Sequence, residues 1–248
     1  MASTIETGHA KNVANFEKLV SYCTGYGTTY NPPKATIKLT ALTTLATNSK
    51  NAINAVNAAL PAYSNAVSAR EAAFQPLSKL VTRIMNALKA ADTTQQVDES
   101  AQTLVRKLQG RRASAKLTEE EKKVMAGQGK EQKEISASQL SYDSRLDNFD
   151  KLIKLLTSIT QYAPNEADLK VTALTTLLTD LKAKNTAVIT ATTPLSNARI
   201  SRNDILYKEL SGLVDIAQDV KSYVKSVFGA TSPQYKQVSG LEFKRYKV

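Results

Sequence analysis

Thr40-Ala41-Leu42-Thr43-Thr44-Leu45 recurs letter for letter as Thr172-Ala173-Leu174-Thr175-Thr176-Leu177, an offset of 132 residues. Extended without gaps from Tyr30/Tyr162 to Lys89/Lys221, the same offset gives 21 identities in 60 positions. Among them are Pro32/Pro164, Lys38/Lys170, Val56/Val188, Arg70/Arg202 and Ile84/Ile216, and Ser64-Asn65-Ala66 matches Ser196-Asn197-Ala198. A bias toward Ala and Thr does not produce gapless identity through Tyr, Pro and Arg. Upstream, Asn15-Phe16-Glu17-Lys18-Leu19-Val20 matches Asn148-Phe149-Asp150-Lys151-Leu152-Ile153 with one residue of slippage. Downstream, Val105-Arg106-Lys107-Leu108-Gln109-Gly110 pairs weakly with Tyr235-Lys236-Gln237-Val238-Ser239-Gly240. Two copies are too few for a solenoid, which needs about three. The expectation is a tandem pair: a first helical repeat over 11–112, a charged connector over 113–143, and a second helical repeat with a basic tail over 144–248.

Each copy has a helical period. Steps of three and four from Leu42 reach Leu45, Ser49, Ala52, Val56, Ala59, Tyr63, Ala66 and Arg70, then Ala73, Leu77, Leu80 and Ile84. The second copy repeats this from Leu174 through Val188, Leu195 and Arg202 to Ile205, where the phase slips to Leu206. The fold class expected is all-α: an elongated bundle with heptad-like helices of about 50 residues, or about 75 Å. Pro61 and Pro194 fall one column apart. Because the phase runs through Pro61, a kinked or closely resumed helix is expected there rather than a wide loop. Pro76 predicts a second bend in the first copy only. The segments 11–23 and 144–161 read as shorter amphipathic helices. In the connector, Thr118-Glu119-Glu120-Glu121 has the form of a helix start, and Gly127 and Gly129 end it.

Composition narrows the functions open to such a bundle. One His and one Cys exclude a disulfide framework, a Cys/His zinc site and a two-His metal site. Nine Gly and seven Pro are too few for the turns of an all-β chain. The net charge is +11. The stretches 102–134 and 221–248 hold most of that excess, which draws a protein toward nucleic acid, anionic lipid or acidic protein surfaces. No run approaches the roughly 18 apolar residues of a membrane span. The polar opening MASTIETGHAKNVANFEKLV has no signal-peptide form. A cytoplasmic location is expected, with export lacking a cleaved signal as the alternative.

Tests for chemistry give little. His9 reads as a solvated residue of the N-terminal segment. Gly127-Gln128-Gly129-Lys130 lacks phosphate-loop spacing, and Glu131 stands where the hydroxyl belongs. The acids Glu119-Glu120-Glu121 point in different directions on a helix and cannot converge on one ion. No catalytic residue, cofactor or metal site is expected. Arg70 and Arg202 share one column of the apolar seam, and a seam guanidinium needs an acceptor. Glu17 and Asp150, matched on the shorter helices, are the carboxylates expected for Arg70 and Arg202 respectively. The candidate contacts for an anionic partner are Arg106, Lys107, Arg111 and Arg112, with Lys244, Arg245 and Lys247 of the tail. That tail interleaves aromatics with cations, as nucleic-acid contacts do.

The duplicated ALTTL motif, the Tyr30-Asn31-Pro32-Pro33 loop and the 235–240 segment resemble uncharacterised all-helical proteins of Bacteroidetes bacteria. The resemblance covers most of the chain and brings no functional motif with it. The function expected is that of a non-enzymatic structural or protein-interaction scaffold, binding a protein partner or assembling with itself. The alternative is nucleic-acid binding through 106–112 and 243–247. A helical membrane-active protein is a third reading, but no apolar hairpin is present to support it.

Overall fold

The computed structural model describes residues 4–111 and 140–246. The chain is all-α, and no strand occurs among the described residues. Among the described residues eight α-helices follow in order: α1 Thr4–Gly25, α2 Leu39–Phe74, α3 Leu77–Lys89, α4 Gln95–Gln109, α5 Tyr142–Thr157, α6 Val171–Tyr207, α7 Leu213–Phe228 and α8 Pro233–Ser239. Single 3₁₀ turns, Ala35–Ile37 and Ala167–Leu169, lead into the two long helices. The readings placed on Arg112, Lys247, Thr118–Glu121, Gly127–Lys130 and Glu131 lie outside the described residues.

Pro61 lies inside α2 and Pro194 inside α6, so both long helices run through their prolines. At 36 and 37 residues they are shorter than the seam suggests. Pro76 does more than bend the first: α2 stops at Phe74, and Pro76 caps a new helix. A proline there has no N–H to give, so the break leaves one fewer donor to satisfy. In both ALTTL stretches the threonines bond back one turn. Thr43 donates to the Leu39 carbonyl and Thr175 to that of Val171, at 2.9 and 2.8 Å. Helix α4 ends in a Schellman motif, with Gly110 left-handed at φ 66°. The Gly110 and Arg111 N–H groups satisfy the Lys107 and Arg106 carbonyls at 3.2 and 2.9 Å.

The described residues divide into two compact units, Met1–Ser64 with Thr190–Val248, and Asn65–Ile189. These limits differ from the sequence segments, for each unit draws helices from both 11–112 and 144–248. The first unit buries Phe16, Leu19 and Cys23 of α1 against Leu206, Leu213, Ala217, Val220 and Val224, with Val238 of α8. The second buries Phe149, Leu152 and Leu156 of α5 against Phe74, Leu77, Val81, Ile84 and Leu88, with Val105 and Leu108 of α4. Each of these large side chains contributes about 1.5–3 kcal/mol on burial.

Candidate functional site

Both seam arginines leave solvent, but neither meets the acid expected of it. Arg70 is half-buried, donates to Asn185 Oδ1 at 3.0 Å, and lies with its guanidinium carbon 3.8 Å from the centre of the Tyr142 ring. Asn185 in turn donates to Asp143 at 2.8 Å. A planar guanidinium stacks on an aromatic face and needs less from a carboxylate. Glu17 is instead exposed on α1 and pairs with Lys50 at 3.3 Å. Arg202 is buried and bonds Asn203 Oδ1 through Nε and Nη2 at 3.1 and 2.9 Å. Asp150 pairs with Lys154 one turn along α5 at 2.8 Å. That hydrogen bond holds the Asp150 carboxyl below its ordinary range. In both cases a lysine one turn or one helix away reaches the acid.

The C-terminal tail, as far as Tyr246, is held by the first unit as a strap, with the Lys244 and Arg245 side chains exposed on it. Asn12 of α1, buried, grips the Lys244 backbone from both sides. Its Nδ2 donates to the Lys244 carbonyl at 2.7 Å, and its Oδ1 accepts the Lys244 N–H at 3.0 Å. Asn15 donates to the Glu242 carbonyl at 2.8 Å. Phe243 packs edge-on to Phe16. Tyr246 packs edge-on to His9, in a place a Cβ on Gly8 would fill. Arg245 donates to the Tyr207 carbonyl at 2.5 Å and to Asp215 at 2.6 Å, and that bond lowers the Asp215 pKa. Lys221 reaches the Leu241 carbonyl at 2.5 Å, and burial lowers its pKa. Arg245 is therefore paired within the first unit, though its side chain stays exposed. Lys244 keeps an exposed ammonium 3.7 Å from Glu242.

Of the other basic stretch, Lys107 and Arg111 are exposed at the end of α4, and Arg106 is half-buried. Their arrangement meets the C-terminal end of the helix dipole, which cations stabilise.

His9 is not solvated. It is 1% exposed, with Nδ1 2.5 Å from the Tyr207 hydroxyl. A signal for this was present: steps of three or four back from Phe16 pass Val13 or Asn12 and reach His9. Cys23, one further turn pair along that face, is fully buried, and burial pushes its thiol up to about 12. Such a thiol stays protonated and is a poor nucleophile. Among the described residues no cluster of His, Cys, Asp and Glu could hold a metal ion. None of the described helices is long and apolar enough to cross a membrane.

No protein-family model matches the chain, and no curated protein or solved structure is found similar to it.

Proposed function

We propose that the chain is a non-enzymatic scaffold for protein interaction or self-assembly, built by tandem duplication of one helical repeat. The observation that carries this reading is where the reactive side chains stand. The only His and the only Cys of the sequence lie within the core of the first unit, one against two tyrosines and the other as a suppressed thiol. Arg70 likewise stacks on the Tyr142 ring and bonds Asn185, and Arg245 ties the strap to Tyr207 and Asp215.

Matched details support the duplication. Tyr30 donates its hydroxyl to the Ile37 carbonyl at 2.7 Å, and Tyr162 donates to that of Leu169 at 2.9 Å. Phe16 and Phe149 are both fully buried, as are Leu42 and Leu174. Duplication gives one chain two related surfaces, which suits bivalent binding.

The test is light scattering after size exclusion over a concentration series, with cross-linking of the immobilised full chain in extract of its own cells. Self-association, or one reproducible cross-linked protein whose binding is reconstituted from purified components, is expected. A monomer at every concentration with no such protein would overturn the proposal.

A further inference from the structure

The second unit has an open cleft where the first unit is plugged. The cleft has a volume of about 500 Å³ and lies between the end of α3 and the 161–166 loop. That size falls in the small-molecule range of about 300–1,000 Å³. The loop is placed by Tyr162, whose hydroxyl is spent on Leu169, and by Asp168, onto which Arg83 forks, Nη2 to Oδ1 at 3.1 Å.

The matching place in the first unit shows what filling looks like. Continued two residues past Lys89/Lys221, the offset of 132 sets Ala87 against Asp219 and Ala91 against Tyr223. Asp219 holds Lys34 of the other loop at 2.5 Å. The Tyr223 ring stands edge-on to Tyr30, centroids 5.3 Å apart, and its hydroxyl accepts the Asn31 N–H at 3.2 Å. In the second unit these letters are alanines, and α3 ends at Lys89 before Ala91 is reached, so no ring stands over the 161–166 loop and the space is left open.

The groups around the opening point to one chemistry. Asn86, Gln161 and Asn165 each offer a carboxamide, which both donates and accepts. Each hydroxyl of a sugar does the same. Glu166 adds an acceptor pair and is in no ion pair among the described residues. Arg83 and Asp168 neutralise each other, so no positive charge is left to demand an anion, and the Glu166 carboxylate remains to accept from hydroxyls. Ala87, Ala90 and Pro164 supply a small apolar surface for the C–H face of a pyranose ring.

We propose that this cleft binds a small neutral saccharide. The inference rests on the duplication reading only for the identity of the plug, Tyr223; the carboxamide lining stands without it.

The experiment titrates the isotope-labelled full chain with glucose, galactose, mannose and N-acetylglucosamine in turn, and follows the amide resonances of 86–91 and 161–166. At least one sugar should shift them saturably. Asn86→Ala should weaken that binding about tenfold, the loss of one good hydrogen-bond partner. Ala91→Tyr, which puts a ring into the lining of the cleft, should abolish it while the remaining spectrum stays in place. No saturable shift with any of the four, equal affinity in both variants, or shifts with inorganic phosphate but not with sugar would each overturn the proposal. A sugar that binds and is recovered chemically altered would leave the cleft standing and remove the non-enzymatic reading; a sugar recovered intact supports both.

Discussion

Asn12→Ala separates the strap from a merely apposed tail. Asn12 is 2% exposed and spends both ends of its carboxamide on the Lys244 backbone. Truncation removes these two hydrogen bonds and the one that Nδ2 gives the Tyr207 hydroxyl at 3.3 Å, each worth about 0.5–1.5 kcal/mol net. Lys244 itself is exposed, so water can reach its freed N–H and C=O, and the larger penalty for an orphaned buried group does not apply. The expected loss is therefore about 1.5–4.5 kcal/mol, or a few degrees per kcal/mol in the melting of the unit that contains α1. Lys244→Ala is the control. Its ammonium lies 3.7 Å from an exposed Glu242, a pair worth about 0–1 kcal/mol. Urea unfolding gives the free energies, and hydrogen exchange at 241–246 reports the strap directly. The Lys244 amide should exchange much faster in Asn12→Ala and unchanged in Lys244→Ala. Equal unfolding midpoints and equal exchange in the two variants would refute the grip of α1 on the tail.

Three further outcomes follow from the same geometry. A double-mutant cycle on Arg70→Ala and Tyr142→Leu should give a coupling of about 0.5–2 kcal/mol, because the guanidinium stacks on the ring; zero coupling would place that side chain in water. Cys23 should resist maleimide labelling in the native protein and react on unfolding, since the thiol is buried and held protonated; rapid native labelling would contradict the packing of α1. Asp150 and Asp215 have folded pKa values below their unfolded ones, through Lys154 and Arg245. Their stabilisation is present above the unfolded carboxylate value of about 3.9 and is lost as pH falls through the lower folded values. Acid titration of Asp215→Asn by urea unfolding should show a shallower fall in stability below about pH 4 than the parent; parallel curves would show that the Arg245 bond is absent in solution.

Local pattern alone made the helices legible. Period, scarce Gly and Pro, and the faces of 11–23 and 144–161 lead to an all-α chain, and Phe16, Leu19, Phe149 and Leu152 are buried as those faces require. The step that reaches Phe16 reaches His9 as well, so its burial was open to the same count. Helix-through-proline at Pro61 was also readable, since an undisturbed phase requires a continuous axis.

Partner choice was not legible. Glu17 and Asp150 sit in matched columns, yet Lys50 and Lys154 take them. Several cations can reach an exposed carboxylate at similar cost, and side-chain geometry decides among them. The basic tail looks solvated as a string of letters, because main-chain hydrogen bonds such as those to Asn12 leave no trace in side-chain identity. Nor can the sequence say which helices cover α1 or α5. Leu42 and Leu174 stand in identical stretches, so either satisfies the local pattern. Only burial in three dimensions decides that Leu42 shares a core with Phe16 and Leu174 with Phe149, and that each compact unit draws on both 11–112 and 144–248.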